Sequence, residues 1–259
     1  MTEPTRGTFD ADDRAIPYAD AGDGPTLVLL PGGSLNITYL ASLASALVEE
    51  HFRVVRIGSR RPSKDATSTI TMHDLAQDVV DVMDHLGIEH SWVGGHAFGN
   101  RVARAIGLDH TDRVNGILLL AAGGTVQPSG KAKDALKTVF SSPTDQQVMD
   151  AMPYLVGNTD PDHAWKIVKP SLEPELGPMQ AAAVANTPAQ EWAALPPGVP
   201  VLILQSSDDQ IAPGANGEQL KESAPDQVSL VTIDGGGHLF AATKPGETAA
   251  AIEDYLDWD

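Results

Sequence analysis

The sequence predicts an α/β protein: a mostly parallel sheet with helices on both faces and one inserted helical segment. Three observations lead there. Runs that are apolar throughout alternate with stretches of helical periodicity, and such strands belong to parallel sheets covered on both faces. One stretch, Thr125 to Ala194, breaks the alternation; it is rich in Pro, holds helical pieces and shows no clear strand. The length of 259 residues suits one large α/β domain or a domain with an insertion, and buries a substantial core without metals or disulfides.

The elements follow in order. TLVLL (Thr26 to Leu30) is a β-rich run ending in Pro31-Gly32-Gly33, and FRVVRI (Phe52 to Ile57) is a second strand. Met72, Leu75, Val79, Val82, Met83 and Leu86 recur at helical spacing with acids between them, and Gly87 stands where a helix stop belongs. SWVGG (Ser91 to Gly95) is a short buried strand, followed by a helix in NRVARAIGL (Asn100 to Leu108). VNGILLLAAGG (Val114 to Gly124), VPVLILQS (Val199 to Ser206) and QVSLVTI (Gln227 to Ile233) are further strands. Between the first two lie the helical pieces KAKDALKTVF and DQQVMDAM. GETAAAIEDYLDW (Gly246 to Trp258) closes the chain as a helix. Sites in such sheets lie beyond the carboxyl ends of the strands.

Composition excludes several function classes. The net charge of −18, with RIGSRR (Arg56 to Arg61) as the densest basic patch, argues against nucleic acid and anionic membrane as partners. Zero Cys removes disulfides, thiolate metal sites and a Cys nucleophile. The acidic, polar start MTEPTRGTFDADDR does not read as a signal peptide, and no apolar run approaches about 18 residues. A cytoplasmic protein is the expectation. Oligomeric state is not legible.

One pentapeptide concentrates the chemistry. G-x-S-x-G places a Ser on a strained turn from strand to helix. Gly95-His96-Ala97-Phe98-Gly99 meets every requirement except the Ser, with a strand before it and a helix after. LVLLPGGSLN supplies a Gly-rich turn after an early strand, LILQSSDDQIAP ends a late strand in two acids, and IDGGGHLF ends the last strand in a His. The chain order is elbow, acid, His.

With these stretches the chain resembles the α/β-hydrolase superfamily, in the branch with a helical cap between the sixth and seventh strands. The resemblance runs from about Tyr18 to Trp258. GGHAFGN is similar to the family's G-H-S-x-G-G with Ala97 in the Ser position, and GGGHLF is similar to its His loop. The acid turn G-x-x-D-x-x-x-P selects Asp209, because Pro213 lies four residues later; Ser206 stands where the family prefers Gly. Pro31-Gly32 replaces the usual His-Gly, and IGSRRPS departs too far from D-x-R-G-x-G-x-S to carry anything over. The resemblance implies an eight-stranded, mostly parallel sheet. It implies a core of residues 1–124 and 195–259, with a lid of residues 125–194. It assigns Ala97 the nucleophile position, His238 the general base, Asp209 its orienting acid, and Gly33 and Phe98 the oxyanion-hole N–H groups. No cofactor and no metal is implied.

Plainer readings stand beside these. His238 is otherwise a solvated loop His, and Asp208 with Asp209 a surface acid pair. His96 is expected to pack or hydrogen-bond beneath the site. Trp165, Trp192, Met152 and Tyr154 either line a pocket or form the lid's own core. His85 and His90 flank a Gly and make a poor ligand pair, so both are expected at the surface. The P-loop signature is absent, and GGHAFGN lacks the third Gly of a dinucleotide fingerprint.

Ala97 admits two histories: a Ser replaced on purpose, or an Ala native to this branch. Three functions follow. The first is hydrolysis of a small ester or lactone, given a Ser at position 97. The second is Ser-independent chemistry, in which a His–Asp dyad abstracts a proton or activates water. The third is non-catalytic binding of a small molecule.

Overall fold

The computed structural model describes residues 3–11, 14–61, 69–141 and 144–256. Pro62 and Ser63 of the IGSRRPS stretch, and Trp258 at the end of the resemblance, lie outside them.

Eight strands form one sheet: β1 (Thr5–Ala11), β2 (Arg14–Ala21), β3 (Thr26–Leu30), β4 (Arg53–Ile57), β5 (Ser91–His96), β6 (Val114–Leu120), β7 (Val201–Ser206) and β8 (Val228–Ile233). Their order is β1-β2-β4-β3-β5-β6-β7-β8. The pairings of β1 with β2 and of β2 with β4 are antiparallel, and all others are parallel. The strand predicted through Gly124 stops at Leu120, because Ala121 turns to φ 55.

The apolar runs are continuous because both faces are covered. On β3, Leu27 and Leu29 join the core on one face while Val28 and Leu30 join the core on the other. The same division holds for β6, where Leu118 and Leu120 oppose Ile117 and Leu119.

The helices in chain order begin with α1 (Ala41–Glu49), α2 (Met72–His85) and α3 (Phe98–Asp109). Thr71 caps α2 in a reciprocal box with Asp74, a local start signal. Among the described residues between β6 and β7 the α-helices are α4 (Gly130–Val139), α5 (Asp145–Ala151), α6 (Pro153–Val156), α7 (Pro161–Val168) and α8 (Leu176–Ala185). The chain continues with α9 (Ala215–Ser223), α10 (Phe240–Thr243) and α11 (Pro245–Leu256). Helix α2 packs against α3, and α1 packs against α11. Among the described residues no helix is long and apolar enough to cross a membrane.

Candidate active site

The turn from β5 to α3 is built by two close backbone approaches. A Cβ on Gly95 would run into the carbonyl carbon of Gly99, and a Cβ on Gly99 would run into the carbonyl oxygen of Leu30. Only glycine fits at both places. Between them Ala97 is forced to φ 48 and ψ −102, a sparsely populated conformation for a residue with a side chain. Its N–H donates to Leu120 O at 3.0 Å, and Asn100 Nδ2 donates to Ala121 O at 3.2 Å, which fixes the turn against the end of β6.

The acid and the imidazole arrive from the ends of β7 and β8. Asp209 Oδ2 accepts from His238 Nδ1 at 3.0 Å, while Oδ1 accepts the N–H groups of Ile211 and Ala212, each at 2.8 Å. The Asp209 side chain is fully buried and that of His238 nearly so. Burial pushes the Asp209 carboxyl up, but the His238 ring and the two backbone N–H groups outweigh it and hold it below the usual range. With Nδ1 engaged, Nε2 is the ring nitrogen left for chemistry. His238, Ala97, Gly33 and Phe98 all line one cavity of about 570 Å³. A Cβ built on Gly33 would lie 3.5 Å from Phe98 Cβ, so the two expected oxyanion residues are neighbours. As the first residue of α3, Phe98 has an N–H with no acceptor inside its own helix.

The loop carrying His238 is fastened by Asp208, which its exposed-pair reading underrated. Asp208 Oδ1 accepts from Gly237 N at 2.8 Å and lies 2.7 Å from Ser206 Oγ, while Oδ2 accepts from Asn158 N at 2.8 Å. Burial raises this carboxyl, yet the Ser206 hydroxyl and the backbone donors hold it low. Gly235, Gly236 and Gly237 all have positive φ, and a Cβ on Gly237 would meet the carbonyl oxygen of Leu155. The His loop, the acid turn and the segment after α6 are therefore joined by one carboxylate. Ser206, the departure from the family's Gly, supplies part of that junction.

His96 sits beneath. Its Nε2 donates to the His238 carbonyl at 2.8 Å, and its ring centroid lies 4.9 Å from that of His238 and 5.0 Å from that of Tyr39. Burial, with the neighbouring His238 adding to it, pushes His96 down to about 3, so it stays neutral at physiological pH. Its Nδ1 is buried and has no partner among the described residues. Tyr39, also buried, is pushed upward by burial and by the Asp209 charge.

The cavity walls were not found by sequence reading. Leu136 and Lys137 of α4, Phe140 at its C-cap, and Gln180, Ala181 and Val184 of α8 line it, each set at i, i+1, i+4. Gln180 Oε1 accepts Ser34 N at 2.9 Å and its amide donates to Ser59 Oγ at 3.0 Å, tying α8 to the Gly-rich turn. Met152 is fully buried, and Tyr154 and Trp165 pack against the same core rather than lining the cavity. Trp192 lines an adjoining cavity instead. His85 and His90 are exposed.

A mostly parallel sheet with an elbow, an acid and a His beyond the ends of β5, β7 and β8 defines the α/β-hydrolase architecture. The chain belongs to the alpha/beta hydrolase family, whose model matches residues 27–251. It is 27% identical over 268 residues to "Putative carbamate hydrolase RutD" of Caulobacter sp. (strain K31), covering 96% of this chain and 97% of that one. In structure it is similar to a thermophilic esterase from Thermogutta terrifontis, with TM-score 0.73, 22% identity and coverage of 99% and 98%. It is also similar to the enol-lactonase from Burkholderia xenovorans LB400, with TM-score 0.71, 21% identity and coverage of 97% and 100%. At these identities the two structures speak for the fold.

Proposed function

We propose that the protein hydrolyses a small ester, lactone or carbamate, with His238 and Asp209 activating a water held over the Ala97 methyl. The observation that carries this is the buried Asp209–His238 bond at the wall of the cavity that Ala97 also lines. His238 Nε2 takes a proton from water, whose oxygen attacks the acyl carbon. The carbonyl oxygen becomes an oxyanion facing the N–H groups of Gly33 and Phe98. Collapse breaks the bond to the alcohol or amine, which leaves with the proton from the imidazolium. Residues 125–194 act as the lid over a core of residues 1–124 and 195–259. The carbamate class is suggested by the named relative, and the ester and lactone classes by the two structural neighbours.

A second reading has its own support. The strained turn at Ala97 is the geometry a Ser nucleophile needs, and a Ser there would form an acyl-enzyme. Assaying the unaltered chain and Ala97→Ser on a panel of phenyl esters, lactones and carbamates separates the two. Turnover by the unaltered chain supports the water mechanism. Turnover and fluorophosphonate labelling by Ala97→Ser alone support the acyl-enzyme. Silence from both removes hydrolysis and leaves small-molecule binding.

A further inference from the structure

The catalytic cavity adjoins a second one of about 450 Å³, and Arg101 and Gly123 line both. The chain carries 35 Asp and Glu against 17 Lys and Arg, yet among the described residues no carboxylate lines either cavity. Apart from imidazoles, their charged residues are all cations: Arg101, Arg104 and, in exposed position, Lys137. Arg101 lies half-buried on α3, with its guanidinium carbon 5.0 Å from the Trp192 ring centroid. It has no ion pair or hydrogen bond among the described residues. Arg104, 4% exposed and one turn further along, donates to Ala193 O at 2.9 Å. Its Nε and Nη2 are buried with no partner among the described residues. Burial lowers both guanidinium groups, Arg104 to about 10 with the Arg101 charge adding to it.

Two neighbouring cations without counter-ions among the described residues are costly to bury. Arg104 Nε and Nη2 and the Arg101 guanidinium have no acceptor among the described residues. A guanidinium fork matches a carboxylate in two parallel bonds, and stacking on Trp192 holds that fork in place. Arg101 follows Ala97 by four residues, about 6 Å along the helix axis. The rest of the catalytic cavity wall is largely apolar, with Leu136, Phe140, Val184 and Ile211. Such a wall suits a short carbon chain between two polar ends.

We propose that the molecule bound here carries a carboxylate, held by Arg101 with Arg104 behind it, a few bonds from the acyl group that faces His238. The fate of that acyl group rests on the hydrolytic reading, whereas the binding of the carboxylate does not. The test titrates the full chain calorimetrically with glutarate, dimethyl glutarate and inorganic phosphate, and records melting temperatures. Glutarate should bind and raise the melting temperature, and dimethyl glutarate should bind at least about tenfold more weakly. Arg101→Met should weaken glutarate about 10- to 100-fold, the loss of a charge-assisted bidentate contact. It should also raise the melting temperature of the ligand-free protein, because an unpaired buried charge is removed. A merely structural arginine would lower it. Arg101→Gln replaces this variant if Met does not fold. Equal binding of glutarate and its diester, or undiminished binding by the Arg101 variants, would overturn the proposal. So would Arg101-dependent binding of phosphate without glutarate. Arg101-dependent glutarate binding in a protein that cleaves no ester, lactone or carbamate would uphold the carboxylate site and remove the hydrolytic step alone.

Discussion

Replacing Asp209 tests the dyad from both its structural and its chemical side. Its buried carboxylate accepts three N–H groups, from His238 at 3.0 Å and from Ile211 and Ala212 at 2.8 Å each. Asp209→Ala leaves all three donors without an acceptor. An unsatisfied buried donor costs about 1–3 kcal/mol. Taking the lower end for each, since water enters a vacated site beside a cavity, the loss is about 3 kcal/mol. That lowers the melting temperature by roughly 6–12 °C for a chain of this size. Asp209→Asn keeps an oxygen for Ile211 and Ala212 but presents an NH₂ to His238 Nδ1. The imidazole must then carry its proton on Nε2, where the lone pair is needed, and turnover should fall about 10⁴-fold, as for an orienting Asp in a Ser-His-Asp triad. The stability difference between Asp209→Asn and the unaltered chain also has a pH signature. The carboxyl is held below its ordinary value of about 4, so its contribution is complete above that pH and disappears as pH falls further. Calorimetric melts at pH 3 and pH 7, with steady-state rates at pH 7, check all three outcomes. Asp209→Asn with more than a tenth of the activity, or Asp209→Ala melting within 2 °C of the unaltered chain, would refute the reasoning.

Other expected outcomes follow from neighbouring groups. His96 is pushed down to about 3 in the folded protein, so between pH 6.5 and 3 the unfolded chain binds the extra proton and stability falls. The loss is on the order of 4 kcal/mol by pH 3; His96→Phe should be less stable at pH 7 but lose less on acidification, and a parallel fall in both proteins would contradict this. Asp208→Ala should loosen the His loop, lowering kcat several-fold and raising hydrogen exchange at Gly237 and Asn158; unchanged exchange would count against its fastening role. Gly95→Ala should fail to fold or lose more than about 4 kcal/mol, since its Cβ meets backbone that cannot move aside; a soluble, active variant would show the turn to be looser than described.

Much of the fold was legible because burial on both faces leaves an unmistakable trace: runs such as Thr26–Leu30 and Val201–Ser206 have no polar alternation to confuse. Strands β1 and β2 left no such trace. Their hairpin is half exposed, and residues such as Arg6, Thr8, Asp10 and Asp20 dilute its pattern. Helices α1 and α9 also passed unread; α9, in particular, is mostly polar. The elbow was readable because Gly95 and Gly99 stand four residues apart between a strand and a helix, although the contact that demands Gly99 comes from Leu30, far away in the chain. Gln180, Arg101 and Asp208 were not, since what matters about each depends on partners distant in the chain: Ser34, Trp192 and Asn158. Likewise, the aromatic residues between β6 and β7 look alike in sequence; both Trp165 and Trp192 pack against a core, and only the fold shows that Trp192 also lines a cavity, beneath Arg101.

The decisive measurement is kcat/KM for the unaltered chain and for His238→Ala on the substrate cleaved fastest in the panel. Hydrolysis by a dyad without a Ser predicts measurable turnover by the former and a fall of at least about 10³-fold in the latter. Equal rates from the two proteins would contradict it.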